Sequence, residues 1–196
     1  MTSILPLLLF VAVATVTPGG ATTLATASGA RFGFVRSIPL IFGIAMSLAL
    51  LAAVAGLGLG GLLIALPSLQ AAVKAIGSAY LLWLAWRIAR SAPPVGGAGP
   101  ARPITLAGGF VLLLLNPKSW AMTVSAAASF ALLASNPNRL AMLLGASFGT
   151  AACLSLALWC ALGVLLARLF RTPRHWRILN LAMGALLAAS IIPAWR

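Results

Sequence analysis

The residues best suited to chemistry lie in two short interruptions of otherwise apolar sequence. These interruptions are Thr17-Pro18-Gly19-Gly20 and Asn116-Pro117-Lys118-Ser119. Proline removes a backbone donor and clashes with the preceding helical turn, so each interruption frees backbone carbonyl groups. The half-helix that follows exposes free N–H groups at the positive end of its dipole. Because carbonyls attract an ammonium group and N–H groups attract a carboxylate, both places suit a small zwitterion.

Lys118 is the residue with the most unusual position. It lies roughly ten residues or more from either end of its apolar segment, which corresponds to about 15 Å of helix. A lysine side chain cannot reach that far. A charge at such a depth in a membrane costs from about 2.5 to more than 10 kcal/mol, depending on the method. Since the chain has no Asp or Glu, Lys118 is neutral, held by carbonyls or paired with a bound anion.

The predicted substrate-binding residues are the first three of each interruption. They are Thr17, Pro18, Gly19, Asn116, Pro117 and Lys118. Asn116 has two interpretations, as the cap of the following half-helix or as a substrate contact, and threonines near the first interruption can equally bond to their own helix.

Catalytic residues, metal ligands and cofactors are not predicted. The chain has one histidine, two cysteines and no side-chain carboxylate, which excludes a paired-acid glycosidase, a Ser-His-Asp triad and a carboxylate-bound metal.

Composition places these residues in a membrane protein. Of 196 residues, 62% are hydrophobic and 7% are charged, whereas a soluble domain has roughly 25% charged residues. The expected surroundings are therefore a lipid bilayer. The 13 basic residues stand in ones and twos at the ends of apolar runs rather than along one face, which argues against nucleic-acid binding.

Six apolar segments are long enough to span a bilayer, which takes about 20 helical residues. They cover residues 3–30, 38–66, 70–90, 104–135, 139–169 and 176–194. The fold class is therefore all-α, a polytopic membrane protein with six transmembrane helices, of which helices one and four are broken. The expected connections are Gly29–Ser37, Pro67-Ser68, the long Pro/Gly loop Ser91–Pro103, Asn136-Pro137-Asn138 and Arg168–Arg177.

The chain divides into two halves of similar pattern. Pro18 and Pro117 are 99 positions apart, and a similar offset carries segment two onto five and segment three onto six. We predict a three-helix repeat over 1–91, a cytoplasmic Pro/Gly linker over 92–103 and a second, inverted three-helix repeat over 104–196. Matching breaks in inverted halves indicate the binding site of a transporter. The alternative is that both prolines are ordinary kinks.

Basic residues predict the orientation. Nine of the 13 follow segments one, three and five, three lie on the other side, and Lys118 lies within segment four. Positive charge marks the cytoplasmic side, so both termini are expected in the periplasm.

Several motifs resemble the LysE/RhtB-type amino-acid exporters of the lysine exporter superfamily, over nearly the whole chain. They are Thr17-Pro18-Gly19, the stretch Gly77, Ala79-Tyr80-Leu81, Trp83-Leu84 and Trp86, and Gly109-Phe110 followed by Asn116-Pro117-Lys118-Ser119-Trp120. The family usually has proline and asparagine where this chain has Gly20 and Ala21, which makes the first break more flexible.

This resemblance, together with the two breaks, predicts a secondary transporter in the bacterial inner membrane that exports a small amino acid or related zwitterion. Lys118 and the absence of carboxylates favour a neutral substrate over a dibasic one. The alternative is a channel-like or structural membrane protein without active transport; a membrane enzyme has little support, since acid–base residues are so few. The sequence leaves the coupling ion and the oligomeric state open, with a homodimer among the alternatives.

Overall fold

The computed structural model describes residues 4–58, 67–90, 102–169 and 172–192, and the regular elements within them are helical. The α-helices are α1 (Leu5–Val16), α2 (Gly20–Phe32), α3 (Phe34–Gly56), α4 (Pro67–Ala89), α5 (Leu106–Leu114), α6 (Pro117–Ser129), α7 (Pro137–Leu169) and α8 (Pro173–Ala189). A short 3₁₀ helix, Ala131–Leu133, follows α6. The all-α prediction is confirmed for the described residues.

Segments one and four are divided where the sequence predicts. Thr17, Pro18 and Gly19 separate α1 from α2, whose axes differ by 54°, and Leu115 and Asn116 separate α5 from α6. The predicted loop over Gly29–Ser37 is wrong, because only Gly33 separates α2 from α3. Gly33 has φ 80°, a left-handed conformation that glycine adopts without strain.

Prolines expected in turns instead begin helices. Pro67, Pro137 and Pro173 are the first residues of α4, α7 and α8. Proline suits this position, because the first N–H of a helix has no intrahelical partner. The predicted Pro/Gly loop lies largely outside the described residues, which resume at Arg102.

Two described helices, α3 and α7, are long and apolar enough to cross a bilayer, and α1 with α2 makes a third if the bent pair counts as one span. Large apolar side chains such as Leu9, Phe42 and Leu158 are exposed on their outer faces, as expected for contact with lipid. Six spans in two inverted repeats stay a prediction from the sequence.

Helices α3 and α7 form the centre of the bundle. Leu40, Ile44, Leu144 and Phe148 belong to its main apolar core and are almost fully buried. Small residues bring helices into close contact, as in other membrane bundles. At Gly163, for example, a Cβ atom would clash with the backbone carbonyl of Thr26, so α2 and α7 pack backbone to backbone.

Helices α4 and α8 form a separate pair beside this centre. Their shared core consists mainly of Leu81, Leu84 and Ile88 from α4 with Leu187 from α8, to which α2 contributes Leu24. The molecule thus has a central group of helices that contains both breaks, and a peripheral pair packed against it.

Candidate functional site

The two breaks lie against each other in space. The Lys118 ammonium nitrogen donates a hydrogen bond to the backbone carbonyl of Thr17 at 3.2 Å. The missing side chain of Gly19 makes room for it, since a Cβ atom there would lie 3.3 Å from Lys118 Nζ. A Cβ atom at Gly20 would lie 3.5 Å from Asn116 Nδ2. Residues about a hundred positions apart are therefore close neighbours.

The carbonyl groups of Thr15, Val16 and Thr17, at the end of α1, each accept from a side-chain donor. Besides the bond to Thr17, Ser155 Oγ donates to the Thr15 carbonyl at 2.8 Å, and Trp159 Nε1 donates to the Val16 carbonyl at 3.2 Å. Ser155 and Trp159 are one turn apart on α7 and so can reach successive carbonyls. The helix end that Pro18 creates is thus stabilised by another helix.

The start of α2 is stabilised within its own turn. The Gly19 N–H donates to Thr22 Oγ1 at 2.8 Å, and the Thr22 hydroxyl donates to the Gly19 carbonyl at 3.0 Å. One turn later, the Thr26 hydroxyl donates to the Thr22 carbonyl at 2.9 Å. Of the two interpretations of these threonines, the structure supports bonding to their own helix.

The second break is stabilised by its own residues. Asn116 caps α6, because its Oδ1 accepts from the Lys118 backbone N–H at 3.1 Å. Trp120 Nε1 donates to the Leu114 carbonyl at 2.7 Å and so bridges the end of α5 and the start of α6. Pro117 is buried as the first residue of α6.

A cavity of about 40 Å³ lies between the two breaks, lined by Thr17, Gly19, Asn116 and Lys118 among others. A cavity needs roughly 10–15 Å³ to hold one water molecule, so this one has room for only a few waters. Pro18 and Pro117 do not line it; they create the helix ends around it. Four of the six predicted residues therefore share one cavity, and the two prolines shape it.

The electrostatics of this cavity come from Lys118 and from backbone dipoles. Lys118 is the one charged residue among those that line it, and the chain has no Asp or Glu. The carbonyl end of α1 supplies partial negative charge and the N-terminus of α6 supplies partial positive charge. This arrangement can bind a carboxylate through Lys118 and an ammonium group through a carbonyl such as that of Thr17.

Sequence reasoning missed Ser155 and Trp159. Both belong to an apolar helix, and Ser155 has 2% of its surface exposed. The available signal was their spacing of four, which places a hydroxyl and an indole N–H on one face of α7.

Comparison with known proteins identifies relatives along most of the chain. The family model for LysE type translocators matches residues 12–189. The cysteine/O-acetylserine efflux protein of Escherichia coli (strain K12) is 29% identical over 172 residues, which is 87% of this chain and 86% of that protein. The protein of the same name from Shigella flexneri serotype 5b is 30% identical over 172 residues, with the same coverage.

A membrane protein of uncharacterized function from Vibrio cholerae is 25% identical over 183 residues, covering 91% of this chain and 89% of that protein. No solved structure matches the chain significantly.

Proposed function

Because the chain belongs to the LysE type translocator family, whose members are transporters and not enzymes, we propose that it exports a small neutral amino acid across the bacterial inner membrane. Relatives that match 87% of the chain are named for cysteine and O-acetylserine, which are both small neutral zwitterions. We place these two compounds first among the candidate substrates.

The bond between Lys118 and the Thr17 carbonyl carries this proposal. It joins an ammonium group to a carbonyl oxygen across the two breaks. An incoming amino acid brings an ammonium group that can replace Lys118 at the carbonyl, and a carboxylate that can pair with the displaced Lys118. The exchange leaves each charged group with a partner, which limits the cost of burying it.

The charge of the site favours a neutral substrate over lysine or arginine. A second ammonium group in a site of low dielectric needs a compensating charge or several good acceptors. The chain offers no side-chain carboxylate, and three carbonyls at the end of α1 already accept from Ser155, Trp159 and Lys118. Repulsion from Lys118 adds a few kcal/mol at separations of about 4 Å.

Transport requires the site to enlarge, because a cavity of about 40 Å³ is too small for an amino acid. We propose that the breaks separate during transport, within six spans arranged as inverted repeats over 1–91 and 104–196. Since α1 and α2 meet at a 54° bend with exposed Thr17 and Pro18, the first break is the natural hinge.

Replacement of Lys118 tests the site. We expect Lys118→Ala to abolish efflux of labelled cysteine or O-acetylserine from cells, while membrane insertion is unchanged. Arg139→Ala is the matched control, because Arg139 is an exposed cation at the start of α7 that lies outside the cavity. Equal efflux from wild type and Lys118→Ala would remove Lys118 from the mechanism.

Purified protein in vesicles tests the substrate class and the alternative of a channel. A carrier preloaded with unlabelled substrate shows counterflow of labelled substrate, whereas a channel does not. We expect counterflow with cysteine, O-acetylserine or homoserine, and little with lysine or arginine. Lysine counterflow that matches that of the neutral amino acids would refute the charge argument.

A further inference from the structure

A second, larger cavity lies where α2 meets the peripheral pair of α4 and α8. Its volume is about 200 Å³, compared with about 40 Å³ for the small cavity between the two breaks. Leu24 of α2, Leu84 of α4 and Met183 of α8 are among the residues that line it. Because one water molecule needs roughly 10–15 Å³, the larger cavity has room for the non-hydrogen atoms of a small amino acid.

The two cavities meet the same face of α2 one helical turn apart. Gly20 lines the small cavity, and Leu24 lines the larger one. Residues four apart lie on one face of a helix, and four residues span about 6 Å. The first turn of α2 therefore leads from the site between the breaks to the larger cavity.

Two leucines of the peripheral pair, Leu81 and Leu187, lie between the cavities. A Cβ atom at Gly20 would lie 3.2 Å from Leu187 Cδ1 and 3.3 Å from Leu81 Cδ2, so both side chains pack against the wall of the small cavity. Both leucines also belong to the apolar core that contains Leu24 and Leu84 of the larger cavity. Leu81 and Leu187 are almost fully buried, and we call them the leucine barrier.

The leucine barrier separates the cavities chemically as well as sterically. An amino acid carries an ammonium group and a carboxylate, and each loses its hydration in apolar surroundings. Leucine side chains offer neither a hydrogen-bond donor nor an acceptor in return. A zwitterion can therefore pass between the cavities only when the two leucines move away from α2.

The two leucines are able to move together. A Cβ atom at Gly184 of α8 would lie 2.8 Å from the Ala85 carbonyl of α4, so these helices pack backbone to backbone. Such a closely packed pair can slide or tilt as a unit against its neighbours. Displacement of the pair from α2 would take Leu81 and Leu187 with it and join the two cavities.

The larger cavity lies at the end of α2 that carries Arg31, which is among its lining residues. The distribution of basic residues predicts that this end faces the cytoplasm. An exported substrate comes from that side. Its route to Lys118 therefore leads through the larger cavity before it reaches the site between the breaks.

We propose that the larger cavity is the entry site for the zwitterionic substrate on the cytoplasmic side, and that Leu81 and Leu187 form the closed barrier between this entry site and the breaks. The proposal rests on the proposed function, since it supplies the path by which an exported amino acid reaches Lys118. The barrier opens when α4 and α8 move away from α2.

Labelling of introduced cysteines tests the proposal. Cys153→Ala and Cys160→Ala together remove both cysteines of the chain. In that background, Met183→Cys reports the larger cavity and Ala21→Cys reports the small one. A membrane-impermeant maleimide is added to inside-out vesicles, which present the cytoplasmic side. We expect Met183→Cys to react readily and Ala21→Cys to react much more slowly, because the maleimide reaches Ala21→Cys only when the barrier opens.

Truncation of the barrier should speed the slow reaction. The burial of one leucine changes an equilibrium that exposes it by a factor of about ten or more, so we expect Leu187→Ala to raise the labelling rate of Ala21→Cys roughly tenfold. Leu144→Ala is the matched control, because Leu144 is equally buried but belongs to the main apolar core and is not among the residues that line these two cavities. If Leu187→Ala does not fold, Leu81→Ala should show the same increase.

Three outcomes would overturn the proposal. Labelling of Met183→Cys no faster than that of Ala21→Cys would show that the larger cavity is not an entry from the cytoplasmic side. An Ala21→Cys rate that Leu187→Ala and Leu81→Ala leave unchanged would remove the leucines as a barrier. An equal increase with Leu144→Ala would indicate general loosening of the bundle. Labelling requires no substrate, so its result is distinct from a failure of amino-acid efflux.

Discussion

The hydrogen bond from Ser155 to the first break can be tested with two serines of similar burial. Ser155 on α7 has 2% of its surface exposed, and its hydroxyl donates to the Thr15 carbonyl at 2.8 Å. Ser47 on α3 is fully buried, and its hydroxyl has no hydrogen-bond partner among the described residues. Replacing each serine by alanine removes the same atom, so the two variants differ only in what that atom does.

We expect Ser155→Ala to destabilise the protein and Ser47→Ala to leave it unchanged or slightly more stable. The Thr15 carbonyl lies at the end of α1, where it has no backbone N–H of its own helix to accept from. Without the Ser155 hydroxyl it also loses its side-chain donor. An unsatisfied buried acceptor costs about 1–3 kcal/mol, and hydrogen bonds between membrane helices average about 0.6 kcal/mol, so we expect roughly 1–2 kcal/mol. Ser47→Ala instead removes a buried hydroxyl whose desolvation is uncompensated.

The native cysteines provide the assay. Cys160 is fully buried and Cys153 is partly buried, so a dye that fluoresces on reaction with thiols reports unfolding on heating. For a chain of this length, each kcal/mol lowers the apparent Tm by about 2–4 °C when the heating rate is held constant. We expect Ser155→Ala to unfold a few degrees below wild type. Equal apparent Tm values for Ser155→Ala and Ser47→Ala would refute the role of α7 in stabilising the break.

Three further predictions concern the second break and the orientation of the chain. Gly77→Ala should lower the stability of the protein by about 2 kcal/mol or more, because the added Cβ would clash with the Leu115 carbonyl. Gly145→Ala should lower it by less, because its Cβ would lie 3.2 Å from the Ala49 carbonyl, and thermal unfolding of the two variants checks this order. Trp120→Phe, which keeps an aromatic ring but loses the bond to Leu114, should lower stability by about 1 kcal/mol in the same assay, and no change would contradict the bridge. A C-terminal alkaline phosphatase fusion should be active and a green fluorescent protein fusion dark, since the distribution of basic residues predicts that both termini lie in the periplasm; the reverse result would overturn that predicted orientation.

The positions of the breaks followed from the sequence because proline acts locally. Pro18 and Pro117 each lack the N–H that would continue the preceding helix, so the local sequence favours the division between α1 and α2 and between α5 and α6. The same local argument failed for Gly29–Ser37. There the single residue Gly33 separates α2 from α3, and the flanking residues gain more from helical hydrogen bonds than from a longer loop.

The partners of the freed carbonyls could not be predicted, because they depend on packing between distant helices. Ser155 reaches Thr15 only because α7 crosses the end of α1, and that crossing depends on close contacts between small residues such as Gly163 and the backbone of α2. A serine in an apolar helix carries no sign of which carbonyl it will meet. The pairing of Lys118 with Thr17 could be predicted in part, since the sequence predicted that both breaks contribute to one site.

Exchange at the Lys118–Thr17 pair has a consequence for the energetics of the proposed transport cycle. In many secondary transporters a buried carboxylate carries the coupling proton, but this chain has no Asp or Glu. Here the negative end of the site is a backbone carbonyl, which does not titrate, and the positive end is Lys118. A zwitterion that binds between Lys118 and the Thr17 carbonyl leaves the net charge of the protein unchanged and brings no net charge of its own. For a Lys118 that is protonated before and after this exchange, we expect an electroneutral binding step that the membrane potential neither assists nor opposes.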